Sequence, residues 1–355
     1  MAHTDFVSVT IVTYNSGRFI KRCLESVLSQ GYPLMEVIVI DNASTDGTAD
    51  ILEQFEDRCL IRYNEENIGF AAAQNQAIGL ADGDWVLTLN PDVLLLPNFI
   101  QALVDAGQFD SRIGAVCGKL LTMTPHFEIP ERPVVDSTGI YFNPMLRHLD
   151  RGSQEVDNGH YLQYEYVFGA TAAAALYRRA MIEDISLDGE FFDSDFFVYR
   201  EDADVAWRAQ LMGWKCLYVP YARGYHVRKA LPGNRRALPA AINMHSVKNR
   251  FLMRWKNISA DLYRRNWLSI TSRDVIVVMC CLLWEHTSLK AFWLLLRNRD
   301  RIQAKREMIQ RARRVDDEYM ASWFHYVPVS KRAPKQLARV AARSEAPKTF
   351  RAAAQ

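Results

Sequence analysis

The chain has 355 residues, of which 49% are hydrophobic and 24% charged, and this composition excludes a disordered, collagen-like or disulfide-stapled protein. Lys and Arg number 43 and Asp and Glu 41, a balance that argues against a dedicated nucleic-acid-binding protein. The six cysteines show no C-x-x-C spacing, so we expect neither a zinc site nor disulfides and place the chain in the cytoplasm. Residues 1–5 lack the pattern of a secretory signal.

Charge is distributed unevenly along the chain. From Arg297 onwards there are 15 basic and 6 acidic residues, a local charge of +9 that leaves residues 1–296 at −7. Such asymmetry indicates a catalytic body and a separate surface-contacting part. We therefore divide the chain into a domain at 1–260, a helical extension at 261–325 and a basic tail at 326–355, which we expect to be flexible.

Strand-like and helix-like segments alternate over the first hundred residues. The sequence predicts strands at 7–13, 36–41, 59–63 and 84–89, and helices at 19–30, 47–55 and 70–80. Strands this apolar are typical of an α/β, Rossmann-like fold in which a mostly parallel sheet is covered by helices on both faces. The carboxyl ends of parallel strands meet at one edge, where such sheets bind ligands. A further strand is predicted at 113–123, and residues 124–161 are predicted to form a loop over the site.

One apolar segment raises the question of a membrane. Residues 275–296 are apolar but are interrupted by Glu285, His286 and Lys290, so we do not expect them to span a bilayer. Their helical spacing predicts an amphipathic helix whose apolar stripe packs on the body of the protein. The alternative is peripheral contact with an anionic membrane, because five basic residues follow between positions 297 and 306.

Polar residues directly follow two of the predicted strands. Asp41 ends the second strand, and Asn90-Pro91-Asp92 follows the fourth. A carboxylate at Asp41 can accept an N–H from a heterocyclic base, whereas helix capping by Ser44 and a simple turn at 90–92 are the structural alternatives. No G-x-G-x-x-G follows the first strand, which argues against a nicotinamide oxidoreductase.

A second acidic cluster occurs at Glu201-Asp202-Ala203-Asp204. A reaction at a hydroxyl requires a base that takes up the hydroxyl proton. A partly desolvated carboxylate has the raised pKa that such a base needs. The alternative is acidic residues that complement the dipole of a helix N-terminus, which suits Glu201 and Asp204 better than Asp202. His226 follows another strand-like segment, and a lone histidine is more often structural.

Five motifs occur in order along the chain, at Val9–Asn15, Ile40–Thr48, Asn67–Phe70, Leu89–Asp92 and Arg200–Arg208. Together they resemble family 2 glycosyltransferases of the GT-A fold, and they are most similar to the rhamnosyltransferase-like branch, over roughly residues 5–260. The resemblance implies transfer of a sugar from a nucleotide diphosphate donor with inversion, and a divalent metal, Mg²⁺ or Mn²⁺, as cofactor.

The resemblance also implies which residues bind the donor nucleotide. Thr13 and Asp41 match the positions that hold the pyrimidine and ribose, with Asn15 close by. Asn67 and Gly69 match the segment that lies against the nucleotide.

The metal and the chemistry are assigned through the same resemblance. Asn90 and Asp92 stand where the family has Asp-x-Asp, so Asp92 is the metal-binding carboxylate and His226 completes the metal–diphosphate site. The loss of charge at Asn90 implies a metal held weakly or mostly by the donor.

For the reaction itself, the resemblance makes Asp202 the general base, with Glu201 beside it. Arg250 either reaches donor phosphate or lies on a solvated helix face. Residues 168–171 match a stretch that shapes the acceptor pocket.

The function that these observations favour is an inverting glycosyltransferase that moves L-rhamnose from dTDP-L-rhamnose to a cell-surface polysaccharide or lipid-linked glycan. One alternative is a UDP-hexose or UDP-N-acetylhexosamine donor, since Thr13 and Asp41 suit either pyrimidine. Another is a catalytically inactive sugar-nucleotide-binding scaffold protein, against which the presence of both Asp92 and Asp202 argues. We expect no nucleic-acid partner and a position on the inner face of the plasma membrane.

Overall fold

The computed structural model describes residues 5–228 and 239–325, so the predicted tail at 326–355 lies outside the described residues. The strands in these ranges are β1 (Val7–Thr13), β2 (Met35–Asp41), β3 (Leu60–Tyr63), β4 (Trp85–Leu89), β5 (Val93–Leu95), β6 (Ile113–Thr122), β7 (Val135–Ser137), β8 (Ile140–Phe142), β9 (His148–Asp150), β10 (Glu165–Val167), β11 (Ala174–Arg178) and β12 (Lys215–His226). The α-helices are α1 (Ile20–Leu28), α2 (Thr48–Leu52), α3 (Phe70–Leu80), α4 (Phe99–Gly107), α5 (Arg179–Ile185), α6 (Glu201–Leu211), α7 (Ala240–Asn257), α8 (Ala260–Leu283), α9 (Lys290–Arg297), α10 (Arg299–Ala312) and α11 (Asp317–Ser322).

Ten of these strands form one sheet, whose path runs β10-β12-β6-β11-β4-β1-β2-β3, with β5 paired to β12 and β7 to β6. Its first half is parallel, because β1 pairs with β2 and β4, and β2 with β3, in the same direction. Beyond β4 the sheet is mixed, since β11 runs antiparallel between β4 and β6. The predicted α/β class is confirmed, and the parallel half brings the carboxyl ends of β1, β2 and β4 to one edge.

The side chains of β1 alternate between two hydrophobic cores, one on each face of the sheet. Val9 and Ile11 belong to the core covered by α1 and α4, whereas Val12 belongs to the core covered by α3. Each buried aliphatic side chain of this kind contributes about 1.5–3 kcal/mol. The sheet edge that carries the polar residues therefore belongs to a sheet with a hydrophobic core on each face.

Residues 124–161 were expected to form a loop, and this prediction is wrong in part. The segment contains β7, which pairs with β6, and the separate β8–β9 hairpin. Strands of three residues are too short to show a detectable alternation of apolar and polar positions. The expected location over the site is correct, because residues of β8 and β9 line the cleft described below.

A third core joins α6 to the helices that follow it. Trp207 of α6 is fully buried and packs edge-on against Phe142 and at a tilt against Phe324. Arg208 forms an ion pair with Asp204 one turn earlier at 2.9 Å. Trp207 thus serves packing, and Arg208 forms an ion pair within its own helix. The division of the chain at residue 260 stays a prediction.

The apolar stripe predicted at 275–296 is divided between α8 and α9. Five of its seven members, Val275, Met279, Leu282, Trp293 and Leu296, are each at least 45% exposed. Val278 is half-buried, and Leu289 packs against buried residues of α7, α8 and α9. The prediction that the stripe packs on the body is therefore wrong for most of it. The reason is the break after Leu283, which ends the helical periodicity before α9 begins. The residues that pack inwards from these two helices are instead Leu262, Ile270, Cys281, Ala291 and Leu295.

Helix α8 is longer than the sequence pattern predicted. By length and composition alone it is the one helix in the described ranges that could cross a bilayer, and 11% of its most apolar stretch is buried in the protein. This is weak evidence for a span, because helices that do not cross a membrane pass the same test. Asp274, within α8, forms ion pairs with Arg250 and Arg254 of α7, which hold α8 along the body.

A buried charge network holds α6, α7 and α10 together. The Lys256 ammonium contacts Asp193 and, at 3.1 Å, Asp204, and all three side chains are fully buried. Lys305 of α10 contacts Asp193 at 2.6 Å. Burial alone would raise the pKa of Asp193, but Lys256 and Lys305 outweigh it and hold that pKa below its usual range.

The network predicts the response of stability to mutation. Lys256→Met removes one cation from two buried carboxylates, so we expect the free energy of unfolding to fall by about 3–5 kcal/mol. Urea denaturation measures this, with Arg299→Ala as the control, since the Arg299–Asp300 pair is exposed on the surface.

The same network predicts a pH dependence. Because the folded-state pKa of Asp193 lies below its unfolded value near 3.8, its contribution is complete above that pH and is lost as the pH falls. A Lys256→Met variant as stable as the wild type would contradict this account.

Candidate active site

The carboxyl ends of β1 and β2 form the predicted nucleotide edge. Thr13 and Asp41 end their strands and lie opposite each other in the parallel pair. Both are buried, and the Thr13 hydroxyl has no hydrogen-bond partner in the described part of the chain. A buried hydroxyl without a partner at a strand end is available to a ligand.

Side chains of this edge also hold the loop that follows β2. The Asp41 carboxylate accepts hydrogen bonds from the Ser44 backbone N–H at 3.0 Å and the Ser44 hydroxyl at 2.6 Å. Asn15 Oδ1 accepts one from the Thr45 backbone N–H at 2.8 Å. Asp41 and Asn15 thus have a structural role in this turn, and their roles toward a nucleotide stay predictions.

Asn67 and Gly69 lie beside the edge and contact the turn that leads to α6. Asn67 Oδ1 accepts hydrogen bonds from Asn42 Nδ2 at 2.9 Å and from the Gly69 N–H at 3.0 Å. Gly69 has φ +87°, and a Cβ there would lie 2.5 Å from the Phe197 ring. Only glycine fits this close approach. A ligand that contacts residues 67–69 would therefore lie close to the turn before α6.

A cleft of about 740 Å³ opens next to this edge. Six of the predicted site residues line it, namely Asn90, Asp92, Glu201, Asp202, His226 and Arg250. The other five, Thr13, Asn15, Asp41, Asn67 and Gly69, lie at the nucleotide edge outside its lining. Phe70, the residue after Gly69, lines the cleft and joins the two regions. The structure thus brings the predicted metal and catalytic residues into one cavity.

Asp92 and His226 approach each other where β12 pairs with β5. His226 ends β12, and its Nε2 lies 3.4 Å from Asp92 Oδ1. Its Nδ1 lies 2.8 Å from Asp136 Oδ2. Burial lowers the pKa of His226, but Asp136 and Asp92 more than offset this and raise the pKa to about 10. The imidazole therefore carries a proton at neutral pH when no cation is bound.

This donor set fits a divalent cation that the protein holds only in part. Across residues 5–228 and 239–325 no group of three or more His, Cys, Asp and Glu side chains could hold a metal. Asp92 offers a carboxylate oxygen, and His226 offers an imidazole that Asp136 orients from its other nitrogen, as is typical of metal-bound histidines. Mg²⁺ and Mn²⁺ take few protein ligands and complete their coordination with phosphate oxygens and water. Binding of the cation would displace the His226 proton.

Glu201 and Asp202 begin α6 and face the same cleft. Burial, and then the neighbouring Asp202, raise the pKa of Glu201 to about 8. Burial, and then Asp150, raise the pKa of Asp202 to about 6. At neutral pH Asp202 is therefore a carboxylate that can accept a proton, whereas Glu201 is a neutral acid. The third acid of the cluster, Asp204, points into the protein and bonds Arg208 and Lys256.

The turn before α6 is held in an uncommon backbone conformation. Phe197, Tyr199 and Arg200 all have positive φ, between +64° and +72°. Asn249 of α7 donates 2.8 Å hydrogen bonds to the carbonyl oxygens of residues 196, 198 and 199. These bonds offset the cost of the left-handed residues and fix where α6 begins.

Sequence reasoning missed three residues of the cleft region. Asp136 holds His226, while Arg228 bridges Asp136 at 3.1 Å and Asp150 at 2.6 Å. Arg228 follows His226 by two positions, which was an available signal. Asp136 and Asp150 come from the 124–161 segment, where isolated acids among turn residues gave no signal. The charges around Asp202 and His226 are thus set by residues distant in sequence.

Arg250 lines the cleft but is also part of the α7–α8 contact. Its Nε lies 3.3 Å from Asp274 Oδ1, and its side chain is buried. The alternative of a solvated helix face is therefore wrong, because α8 covers this side of α7. Thr171, at the end of the predicted acceptor stretch, lines the cleft as well.

Comparison with known proteins identifies the family and the fold. A family model described as glycosyl transferase family 2 matches residues 8–185. The N-acetylglucosaminyl-diphospho-decaprenol L-rhamnosyltransferase of Mycobacterium tuberculosis is 28% identical over 246 residues, which are 63% of this chain and 76% of that protein. Glycosyltransferase GlyG of Streptococcus pneumoniae is 30% identical over 103 residues, which are 28% of this chain and only 34% of that protein.

Among solved structures, that of GalNAc-T7 with UDP, GalNAc and Mn²⁺ is similar with a TM-score of 0.58 at 16% identity, covering 72% of this chain and 48% of that one. At this identity the likeness shows the fold alone. The predicted fold class and family are confirmed: the chain has the GT-A fold and belongs to glycosyl transferase family 2.

Proposed function

We propose that the protein is an inverting glycosyltransferase that moves a sugar from a nucleotide diphosphate donor to a hydroxyl of a cell-surface polysaccharide or lipid-linked glycan. The observation that carries the proposal is one cleft in which Asp202, with a pKa of about 6, lies with Asp92 and His226. The family match supports it.

The residues of the cleft suit a single displacement. The acceptor oxygen forms a bond to the anomeric carbon as the bond from that carbon to the diphosphate oxygen breaks. Asp202 takes the hydroxyl proton, and the nucleoside diphosphate leaves with the bonding electron pair. Attack opposite to the leaving group inverts the anomeric centre. Glu201, neutral at pH 7, donates a hydrogen bond at the acceptor side.

Asp92 and His226 would hold a divalent cation, Mg²⁺ or Mn²⁺, which when bound neutralises charge on the departing diphosphate. The GalNAc-T7 structure contains UDP and Mn²⁺, which supports a divalent metal in general. Thr13, Asn15, Asp41, Asn67 and Gly69 would hold the nucleoside, and Asn90 would lie near the diphosphate.

For the donor we propose dTDP-L-rhamnose. The support is the likeness to the mycobacterial L-rhamnosyltransferase over 63% of the chain. The alternative is a UDP-hexose or UDP-N-acetylhexosamine, because the edge of Thr13 and Asp41 suits either pyrimidine. Donor hydrolysis and thermal stabilisation with a panel of nucleotide sugars, with and without Mn²⁺, distinguish these donors. A panel in which none is hydrolysed or bound would favour the inactive scaffold.

The exposed apolar face of α8 and α9 supports a peripheral position on the inner face of the plasma membrane. We propose that it contacts anionic lipid. Trp284 is 70% exposed, and Leu268 and Leu296 are each 66% exposed. The same two helices also carry the exposed arginines Arg264, Arg265 and Arg297. Apolar burial and attraction of arginines to anionic headgroups act together in such contacts.

We expect Asp202→Asn to lower turnover by about 10²–10⁴-fold, because it removes the base. Donor affinity should change little, because the base faces the acceptor. For the wild type, log kcat/KM should rise with pH and level near pH 6, since Asp202 accepts a proton only above its pKa. Steady-state kinetics and calorimetry measure these effects.

Glu201→Gln tests the competing assignment. Glutamine replaces a neutral acid of the same size, so its cost in turnover should be smaller than that of Asp202→Asn. The assignment is wrong if Asp202→Asn turns over at the wild-type rate while Glu201→Gln is inactive.

We expect Asp92→Asn to weaken nucleotide-sugar binding about tenfold or more in Mn²⁺, because it removes the carboxylate ligand. Titration calorimetry measures this, and the difference from wild type should shrink when the metal is chelated. Asp82→Asn, at an exposed carboxylate, is the matched control. Equal donor affinity of Asp92→Asn and wild type in Mn²⁺ would remove Asp92 from the metal site.

We expect the protein to float with phosphatidylglycerol vesicles at low salt and to be released as salt rises, because each arginine near the surface contributes about 1 kcal/mol that salt screens. Leu282→Asp with Trp284→Asp should abolish flotation, whereas Leu34→Asp, at an exposed leucine away from this face, should not. Absence of wild-type flotation at low salt would refute the contact.

A further inference from the structure

The outer part of the cleft contains an arginine cluster, formed by Arg147, Arg200, Arg250 and Arg273, all of which line the cavity. These residues come from the segment before β9, the turn before α6, and helices α7 and α8. None of the four lies at the nucleotide edge of Thr13 and Asp41, although the resemblance implied that Arg250 could reach donor phosphate. The cluster is therefore built by the part of the chain that follows the donor-side strands.

Two members of the cluster have no acidic partner. Arg147 and Arg273 form no ion pair with a carboxylate in residues 5–228 and 239–325, and Arg273 Nε is buried without a hydrogen-bond partner in the same ranges. Burial, and then Arg273, lower the pKa of Arg147. Guanidinium groups held together in a cavity without counter-charge are costly, and an anion that binds them removes the cost.

Arg200 and Arg250 each contact a residue beside the cluster. Arg200 Nη1 lies 2.8 Å from Nδ1 of His148, whose pKa is held well below its usual value by burial and then by the surrounding arginines. His148 is therefore neutral and accepts this hydrogen bond. Arg250 contacts Asp274 through Nε, but its Nη2 is buried without a partner in the described chain.

The place assigned to the donor diphosphate, at Asp92 and His226, has its own chain of ion pairs through Asp136, Arg228 and Asp150. These ion pairs do not include a member of the arginine cluster. Arg250 and Arg273 belong instead to α7 and α8, which the Arg250–Asp274 ion pair joins. Binding to the cluster while the donor site is filled distinguishes its anion from the donor diphosphate.

Helix α8, which contributes Arg273 to the cluster, also has an exposed apolar face. Arg273 and Val277 of α8 line the cleft, while Ile276 and Met279 of the same helix are 52% and 45% exposed on its apolar face. A molecule whose phosphate lies in the cluster could place an apolar chain along this face and its sugar toward Asp202.

We propose that the arginine cluster is a second anion site, which binds the phosphate or diphosphate that links the acceptor sugar to its lipid. Arginine binds phosphate through paired N–H groups, which suits a group of this charge. The proposal rests on the proposed function for the identity of the acceptor, but anion binding itself can be measured without catalysis.

The test uses the full chain with its donor site filled by dTDP and Mn²⁺, and farnesyl diphosphate and inorganic pyrophosphate as probes in calorimetry. We expect farnesyl diphosphate to bind the dTDP-loaded protein. Arg273→Gln and Arg147→Gln should weaken this binding by about 10- to 100-fold, because each removes charged hydrogen bonds to phosphate. Pyrophosphate should bind more weakly than farnesyl diphosphate but depend on the same arginines.

Matched variants distinguish the loss of the anion site from misfolding of the protein. Arg311→Gln changes an exposed arginine of α10 and should bind farnesyl diphosphate as the wild type does. Arg273→Lys should recover part of the affinity, and dTDP affinity of Arg273→Gln should equal that of wild type, which a misfolded variant would not show.

Three results would overturn the proposal. The first is displacement of dTDP by farnesyl diphosphate, which would assign the arginines to the donor diphosphate. The second is equal binding of the probe by wild type and Arg273→Gln, and the third is no binding of either probe to the wild type. Failure of the proposed function would look different, since glycosyl transfer would be absent while probe binding and its arginine dependence persist.

Discussion

The buried carboxylate of Asp204 is the contact on which the geometry of the cleft depends. It bonds Lys256 and Arg208, and through Lys256 it is linked to Asp193 and so to α10. Because Asp204 lies in the first turn of α6, these bonds also fix Asp202, two residues earlier. Because an unpaired charge in the interior is costly, the loss of one partner would destabilise the whole arrangement. The position of the proposed base thus depends on α7 and α10, which are not part of the sheet.

The cleft contains a group of acids and a group of arginines. Burial, and then Asp150, raise the pKa of Asp202, while Asp136 and Asp92 outweigh burial and raise the pKa of His226. Arg147, Arg200, Arg250 and Arg273 line the same cavity, two of them on α7 and α8. On the proposed function, a donor diphosphate with its cation and an anionic acceptor each need a different local charge, which these two groups of residues provide. One cavity can in this way hold two anionic substrates without bringing their phosphates together.

Much of the fold was predictable from sequence, because the strands of the parallel half are apolar and the helices between them are periodic. The bounds of β1, β2 and α3 agree with the predicted ones within one residue. The residues at strand ends were predictable for the same reason, since a polar group after a buried strand has few other places to lie. Asp136 and Asp150 were not, because three-residue strands carry no pattern. The extent of α8 as one helix over Ala260–Leu283 was not predicted, because the apolar stripe was placed at 275–296 and the extension at 261–325 was described only as helical.

The positions of these elements along the chain indicate which part serves the donor and which part serves the acceptor. The family match ends at residue 185 and covers β1 to β11, which include most of the sheet, the nucleotide edge and Asp92, together with the β8–β9 hairpin and Arg147. Asp202, His226, Arg250 and Arg273 all come after it. On the proposed function, the nucleotide edge and Asp92 therefore lie in the part of the chain that the family model covers, whereas His226 and most of the acceptor side, from α6 to α8, come after it. Differences in acceptor among relatives would then arise chiefly in the helices that follow residue 185, where the cleft meets the exposed apolar face.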